Sequence, residues 1–156
     1  MSLGTLGRNG IMKISTKGRY ALRLMLDLAM EGEQVVRLKD VAERQGISMK
    51  YLEQIISVFQ KCGYVKSLRG PGGGYRLAKR PEDYTVGMIL RQIEGNLAPV
   101  ACLEHEENTC TRNLECVALI FWRKLYDAIN EVVDQVTLAD MLEWQKEIQG
   151  NMDYVI

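Results

Sequence analysis

Three of the chain's four cysteines and its only histidine fall within fifteen residues, CLEHEENTCTRNLEC, at 102–116. The spacing is Cys102-x7-Cys110-x5-Cys116, with His105 between the first two. Thiolates bind soft or borderline metals and iron–sulfur clusters, and one loop carrying three of them can wrap a single centre. Such a centre needs a fourth ligand. Zinc favours tetrahedral Cys₃His, so C-x2-H-x4-C-x5-C can in principle hold it, but structural zinc sites usually pair ligands two to four residues apart twice over. This array does so once. Two rival readings are free thiols in a loop and a cysteine nucleophile. The second is disfavoured, because the one histidine shares the cysteines' loop and no base with an orienting partner is evident. His105 reads either as a ligand or as a solvated residue among glutamates. Cys62 stands apart and reads as a small core residue.

A chain of 156 residues can bury one sizeable core, or a small domain with an appended oligomerisation element. No apolar run approaches the ~20 residues of a membrane span, and the opening MSLGTLGRNG lacks the apolar stretch of a signal peptide. Residues 1–11 read as a cloning remnant or a disordered arm, with Met12 as a native start. The expected location is therefore cytoplasmic. In a reducing cytosol, clustered cysteines bind metals or sense redox more often than they form disulfides. The net charge of zero hides an asymmetry: residues 12–80 hold fourteen Lys and Arg against six Asp and Glu, and residues 81–156 hold five against fourteen. A basic half of this size is an electrostatic footprint for nucleic acid, although a charge run can also be a solvated face.

The basic half has the elements to use that charge. STKGRYALRLMLDLAMEG (15–32) places Tyr20, Ala21, Leu24, Met25, Leu28 and Ala29 at helical spacing after the N-cap Ser15. RLKDVAERQGIS (37–48) gives a short second helix stopped by Gly46, and Ser48 caps a third, SMKYLEQIISVFQKCG. Q-G-I-S between them has the form of a helix-turn-helix connection, whose second helix presents its N-terminal residues to base edges in the major groove. Those positions are Ser48, Lys50, Tyr51, Glu53 and Gln54, opposite the core-facing Leu52, Ile55, Ile56 and Phe59. A plain helical hairpin with a polar outer face is the alternative.

Y-V-K-S-L and Y-R-L-A then alternate as two short strands around a slim tip, RGPGGG, flanked by Arg69 and Arg76. A hairpin after a helix-turn-helix makes a winged helix, and a slim basic tip suits a minor groove, where inserted arginine is attracted. A phosphate cradle at GPGGG fails, because no G-x-x-x-x-G-K-[ST] pattern is present and a strand follows. TVGMILRQIEG (85–95) is a fourth helix. After the cysteines, Leu114, Val117, Ala118, Phe121, Trp122, Leu125, Ile129, Val132, Val133 and Val136 form one apolar stripe on a helix of about 23 residues. A shorter amphipathic helix, 137–149, cannot cover it. A second copy of the chain can, which predicts a two-fold homodimer.

STKGRYALRLMLDLA, DVAERQGIS-x-x-YLEQ, RGPGGGYRL and the three cysteines before a long helix resemble the IscR-type winged-helix regulators, over about residues 12–145. That superfamily includes the nitric-oxide sensor NsrR and the cysteine-metabolism repressor CymR. The resemblance implies a dimeric transcription factor, mostly a repressor and not an enzyme, that reads a palindromic operator in double-stranded DNA. Lys50, Tyr51, Glu53 and Gln54 then approach bases or phosphates from the major groove, and Arg69, Gly70, Pro71 and Gly72 enter the minor groove on the wing. Glu53 matches a glutamate that helps discriminate operator classes; a carboxylate accepts from cytosine but repels phosphates. Its alternative is a surface ion pair with Lys50 or Lys61. The resemblance also implies an iron–sulfur cluster, usually 2Fe–2S, on Cys102, Cys110 and Cys116. The sequence departs from the family at the fourth ligand: Leu119 stands where one branch has histidine, and Arg19 where another has aspartate. His105, one of Glu104, Glu106, Glu107 and Glu115, or an exogenous group would have to supply it. Relatives without a cluster respond through partner proteins, which keeps a signalling partner open.

The expected fold is thus mainly α with a small β-hairpin wing: a winged helix-turn-helix domain (12–84), a connecting helix (85–101), a cysteine-rich sensor loop (102–116) and dimerisation helices (114–149).

Overall fold

The computed structural model describes residues 13–108 and 110–154, so the expected arm at 1–11 and the start at Met12 lie outside the described residues. The order is α1 (Thr16–Met30), α2 (Leu38–Gln45), α3 (Met49–Lys61), β1 (Val65–Leu68), β2 (Gly74–Leu77), α4 (Val86–Glu94), α5 (Val117–Gln135) and α6 (Leu138–Asp153). Single 3₁₀ turns occupy Pro81–Asp83 and Ala101–Leu103. The fold is mainly α with a two-stranded antiparallel wing, as the sequence implied.

Side-chain caps fix where the helices begin. Hydroxyl oxygens of Ser15, Ser48 and Thr85 accept from the backbone N–H of Gly18 (3.0 Å), Tyr51 (3.2 Å) and Met88 (3.1 Å), satisfying donors that a helix start leaves orphaned. Thr137 and Asp140 form a reciprocal capping box on α6. Gly46 closes α2 in the left-handed conformation at φ 63°, and the chain turns directly into α3.

The core is built where α1, α2, α3 and the wing meet. Leu24, Met25, Leu28, Val41, Leu52, Ile55, Ile56, Phe59, Val65 and Leu77 are buried there, and α6 adds Leu138, Met141 and Leu142. The last helix therefore folds back onto the first: α6 packs against α1 and the 81–83 turn. The backbone secures this return. Val86 N–H donates to the Val136 carbonyl (2.9 Å) and Leu138 N–H to the Tyr84 carbonyl (2.9 Å), so residues 84–86 and 136–138 are pinned together. Tyr84 is fully buried. Burial raises its phenol pKa above the ordinary value, so it stays protonated, donating to the Tyr64 carbonyl (2.7 Å) and accepting from Lys79 N–H (3.0 Å).

The long helix differs from its expected extent. It begins at Val117 rather than Leu114 and has 19 residues rather than about 23. The chain turns first, with Asn113 N–H on the Cys110 carbonyl and Glu115 N–H on the Arg112 carbonyl, and Cys116 is extended. Leu114 is left 96% exposed in that turn. The single buried residue of α5 is Leu119, which lies outside the expected stripe. Asn130 and Asp134 bind Arg91 of α4, while Val117, Phe121 and Val132 from the stripe stay exposed.

Candidate nucleic-acid interface and cysteine segment

The outer face of α3 carries Ser48, Lys50, Glu53 and Gln54, all exposed, with Tyr51 half-buried beside them. Leu52, Ile55, Ile56 and Phe59 are buried on the opposite face and set the helix's rotation. Glu53 makes no ion pair with Lys50 or Lys61 among the described residues, so its carboxylate is unengaged. The Tyr51 ring meets Tyr20 of α1 edge-on at 5.5 Å, and the Arg23 guanidinium lies over Tyr20 at 5.4 Å.

A polar clasp holds α2 against α1. Asp27, only 4% exposed, accepts from Arg44 through both carboxylate oxygens and from Gln45 Nε2 (2.9 Å). Arg23 in turn donates to the Gln45 side-chain oxygen (3.0 Å) and to its carbonyl at the end of α2. The Asp27 bond keeps the Arg44 guanidinium firmly protonated, raising its pKa. Every oxygen of the buried carboxylate is thus engaged, which the low-dielectric setting demands. Sequence reading missed this clasp, because an aspartate inside an apolar periodic run gives no sign of its partner.

The wing extends from the end of α3. Gln60 Nε2 donates to Ser67 Oγ (2.9 Å), tying helix to strand. Pairing runs Val65 with Leu77, Lys66 with Arg76, Ser67 with Tyr75 and Leu68 with Gly74. Arg69, Gly70, Pro71 and Gly72 form the exposed tip, closed by Gly73 N–H on the Gly70 carbonyl (2.9 Å). Val36, between α1 and α2, exchanges two backbone bonds of 2.8 Å with Tyr75, a third edge that sequence reading also missed. A side chain at Gly74 would strike the Val36 carbonyl, so this glycine is what lets the third edge approach.

The cysteine segment is held differently, by asparagines rather than by burial. Asn96 Nδ2 donates to the Glu104 carbonyl (3.4 Å), Cys110 N–H donates to Asn108 Oδ1 (2.9 Å), and Asn113 Nδ2 donates to the Asn108 carbonyl (3.1 Å). Cys102 lies in the Ala101–Leu103 turn and is half-buried, Cys110 is exposed, and Cys116 is half-buried at the cap position of α5. All are free thiols, as is Cys62, whose Sγ lies 3.5 Å from the Phe59 carbonyl against the core. The Ala101–Leu103 turn, which bears Cys102, touches α5, whose N-terminal cap position is Cys116. An open groove of about 380 Å³ beside Cys116 is lined by Asn113, Leu119, Ile120 and Arg123.

No group of three His, Cys, Asp or Glu converges on one point among the described residues. His105, Glu104, Glu106, Glu107 and Glu115 are exposed. Leu119 is 4% exposed in the helix, and Arg19 donates to Thr16 Oγ1 (3.1 Å); neither offers a ligand atom. Cys102, Cys110 and Cys116 are nevertheless three unbridged thiols, the donor type that an iron–sulfur cluster takes. Cys102, Cys110 and Cys116 are the residues that would hold it.

A profile of the Rrf2 family, described as iron-dependent transcriptional regulators, matches residues 14–144. The chain is 43% identical over 132 residues to Protein rrf2 of Nitratidesulfovibrio vulgaris, covering 84% of this chain and 87% of that protein. It is 43% identical over 146 residues to the transcriptional regulator CymR of Bacillus subtilis, covering 92% of this chain and 100% of that one. The solved structure of CymR, described as the global cysteine regulator of B. subtilis, covers 85% of this chain and 97% of its own with a TM-score of 0.70. That of T. potens IscR is 45% identical, covers 88% and 90%, and has a TM-score of 0.71.

Proposed function

This chain belongs to the Rrf2 family of transcriptional regulators, and from that premise we propose that it is a dimeric repressor of a palindromic operator. An iron–sulfur cluster on Cys102, Cys110 and Cys116 would modulate its DNA binding. Lys50, Tyr51, Glu53 and Gln54, with the Ser48 cap, read the major groove; Arg69, Gly70, Pro71 and Gly72 enter the minor groove. The observation that carries the reading is the unengaged polar face of α3, fixed from behind by four buried apolar residues and tied through Gln60 and Ser67 to an exposed basic wing. The described helices include none long and apolar enough to cross a membrane.

The cysteines support the sensing half of the proposal. A cluster there would supply a redox-active, displaceable charge beside the start of α5. The chain's own part is to offer the three thiols, to hold the segment with Asn96, Asn108 and Asn113, and to supply or borrow a fourth ligand. Regulation requires that the cluster favour one DNA-binding state over the other. Protein prepared without oxygen is expected to absorb visible light and carry iron and sulfide, and Cys110→Ala to lose both. Colourless, iron-free protein after reconstitution would refute the cluster.

A second reading takes its support from CymR, matched along its whole length. Here the chain is a cluster-independent regulator of cysteine metabolism, governed by a partner protein or metabolite. Replacing Cys102, Cys110 and Cys116 together with serine separates the two: duplex affinity stays unchanged in this case and shifts in the first.

A further inference from the structure

Lys66 on β1 lies directly opposite Arg76 on β2. Cross-strand neighbours stand ~4.5–5.5 Å apart at Cβ, and like charges so placed repel. Neither residue makes an ion pair among the described residues. Glu33 lines the same cleft as Arg76 and does not pair with it. Strand alternation puts buried Val65 and Leu77 on one face of the wing and the two cations on the other. The free fold therefore sets two like charges on opposite strands with no carboxylate paired to either among the described residues, an arrangement that repels.

The distance of this pair from the tip suggests what relieves the repulsion. Lys66 is three residues from Arg69, and Arg76 three from Gly73. At ~3.3 Å per residue, the pair stands roughly 10 Å behind Arg69 and Gly73, the base of the tip. The minor groove of B-DNA is ~7.5 Å deep, so a tip resting on its floor leaves the pair above the groove, with the long side chains of lysine and arginine within reach of the phosphates that border it. We propose that Lys66 and Arg76 form a phosphate-binding pair for duplex DNA, engaged as the wing enters the minor groove. The inference rests on the DNA-binding reading above and adds to it a contact with no base preference.

The test uses the full chain and a 30-base-pair duplex of arbitrary sequence, with binding followed by fluorescence anisotropy across a salt series. Each phosphate contact contributes ~0.9 to the slope of log affinity against log salt. The double variant Lys66→Gln/Arg76→Gln is expected to reduce that slope by about two per chain, hence about four for a dimer bound through both wings, while the thermal midpoint of the DNA-free chain holds or rises. Lys66→Glu, which places opposite charges across the strands, should raise the midpoint and weaken duplex binding further. An unchanged slope in the double variant, with wild-type binding intact, overturns this inference alone. A midpoint that falls together with affinity also overturns it, since the pair would then be structural. Wild-type protein with no salt-dependent affinity for duplex would overturn the DNA-binding reading and this inference together.

Discussion

Helices α1 and α5 are both amphipathic, with 15 and 19 residues, yet α1 buries seven residues and α5 buries one. The first sits at the centre of a closed core, covered by α3, α4, β2 and α6. The second is attached along one side to α4 and shows Val117, Ile120, Phe121 and Val132 to solvent. The contrast is one of completeness: α1 has its apolar face enclosed, with α4 and α6 of the acidic half helping to cover it, while α5 leaves apolar residues uncovered. Exposed apolar residues scattered singly mean little, but a stripe along one helix marks an interaction face.

The contrast can be broken or sharpened by substitution, beginning with the largest effect. Phe59→Ala in the closed core is expected to cost about 3–5 kcal/mol, enough to unfold much of the chain at 37 °C, measured by urea denaturation. Asp27→Ala should cost about 2–3 kcal/mol, because it strips the acceptors from Arg44 and Gln45 beneath the helix-turn-helix. A neutral result there would show that the clasp is dispensable. On α5 itself, Leu119→Ala should cost about 2 kcal/mol, whereas Phe121→Ser should change unfolding stability by no more than ~0.5 kcal/mol. If α5 is the dimer face, Phe121→Ser instead halves the mass measured by light scattering on dilution.

The smallest effect is a pH dependence. Arg91 hydrogen-bonds Asp134 and holds its carboxyl below its ordinary 3.8. A carboxylate with a depressed folded-state pKa stabilises above the unfolded value, and that contribution fades as pH falls through the folded one. The melting difference between wild type and Asp134→Asn should therefore be constant at neutral pH and shrink below about pH 4. Because Asp134 is 48% exposed on its side chain, added salt should shrink it too.

Much of the closed half was legible because its signals are local. Ser15, Ser48 and Thr85 announce their helices within three residues, Gly46 ends α2, and the alternation around RGPGGG fixes the wing's register. What stayed hidden depends on distant partners. Ser15 receives Glu94 from 79 residues away, with Oε1 taking its N–H (2.9 Å) and its hydroxyl (2.6 Å). Gly18 in GRYAL is small because that carboxylate passes over it. The Val36 edge involves one residue, too short for any periodicity to betray. The three cysteines were identifiable by type and spacing, but spacing does not dictate convergence: the segment's path is set by three asparagines bonding to backbone, for which no pattern was available.

The pin between residues 84–86 and 136–138 has a mechanical consequence. It fastens α5 at its C-terminal end, and the Arg91 bonds to Asn130 and Asp134 fall in the same third of the helix. A helix of 19 residues is ~28 Å long, and Leu119 is buried near its start, so α5 is held at both ends, by the pin at one and beside Cys116 at the other. The span thus joins the cysteine segment to Tyr84, whose phenol bonds the Tyr64 carbonyl at the base of the wing.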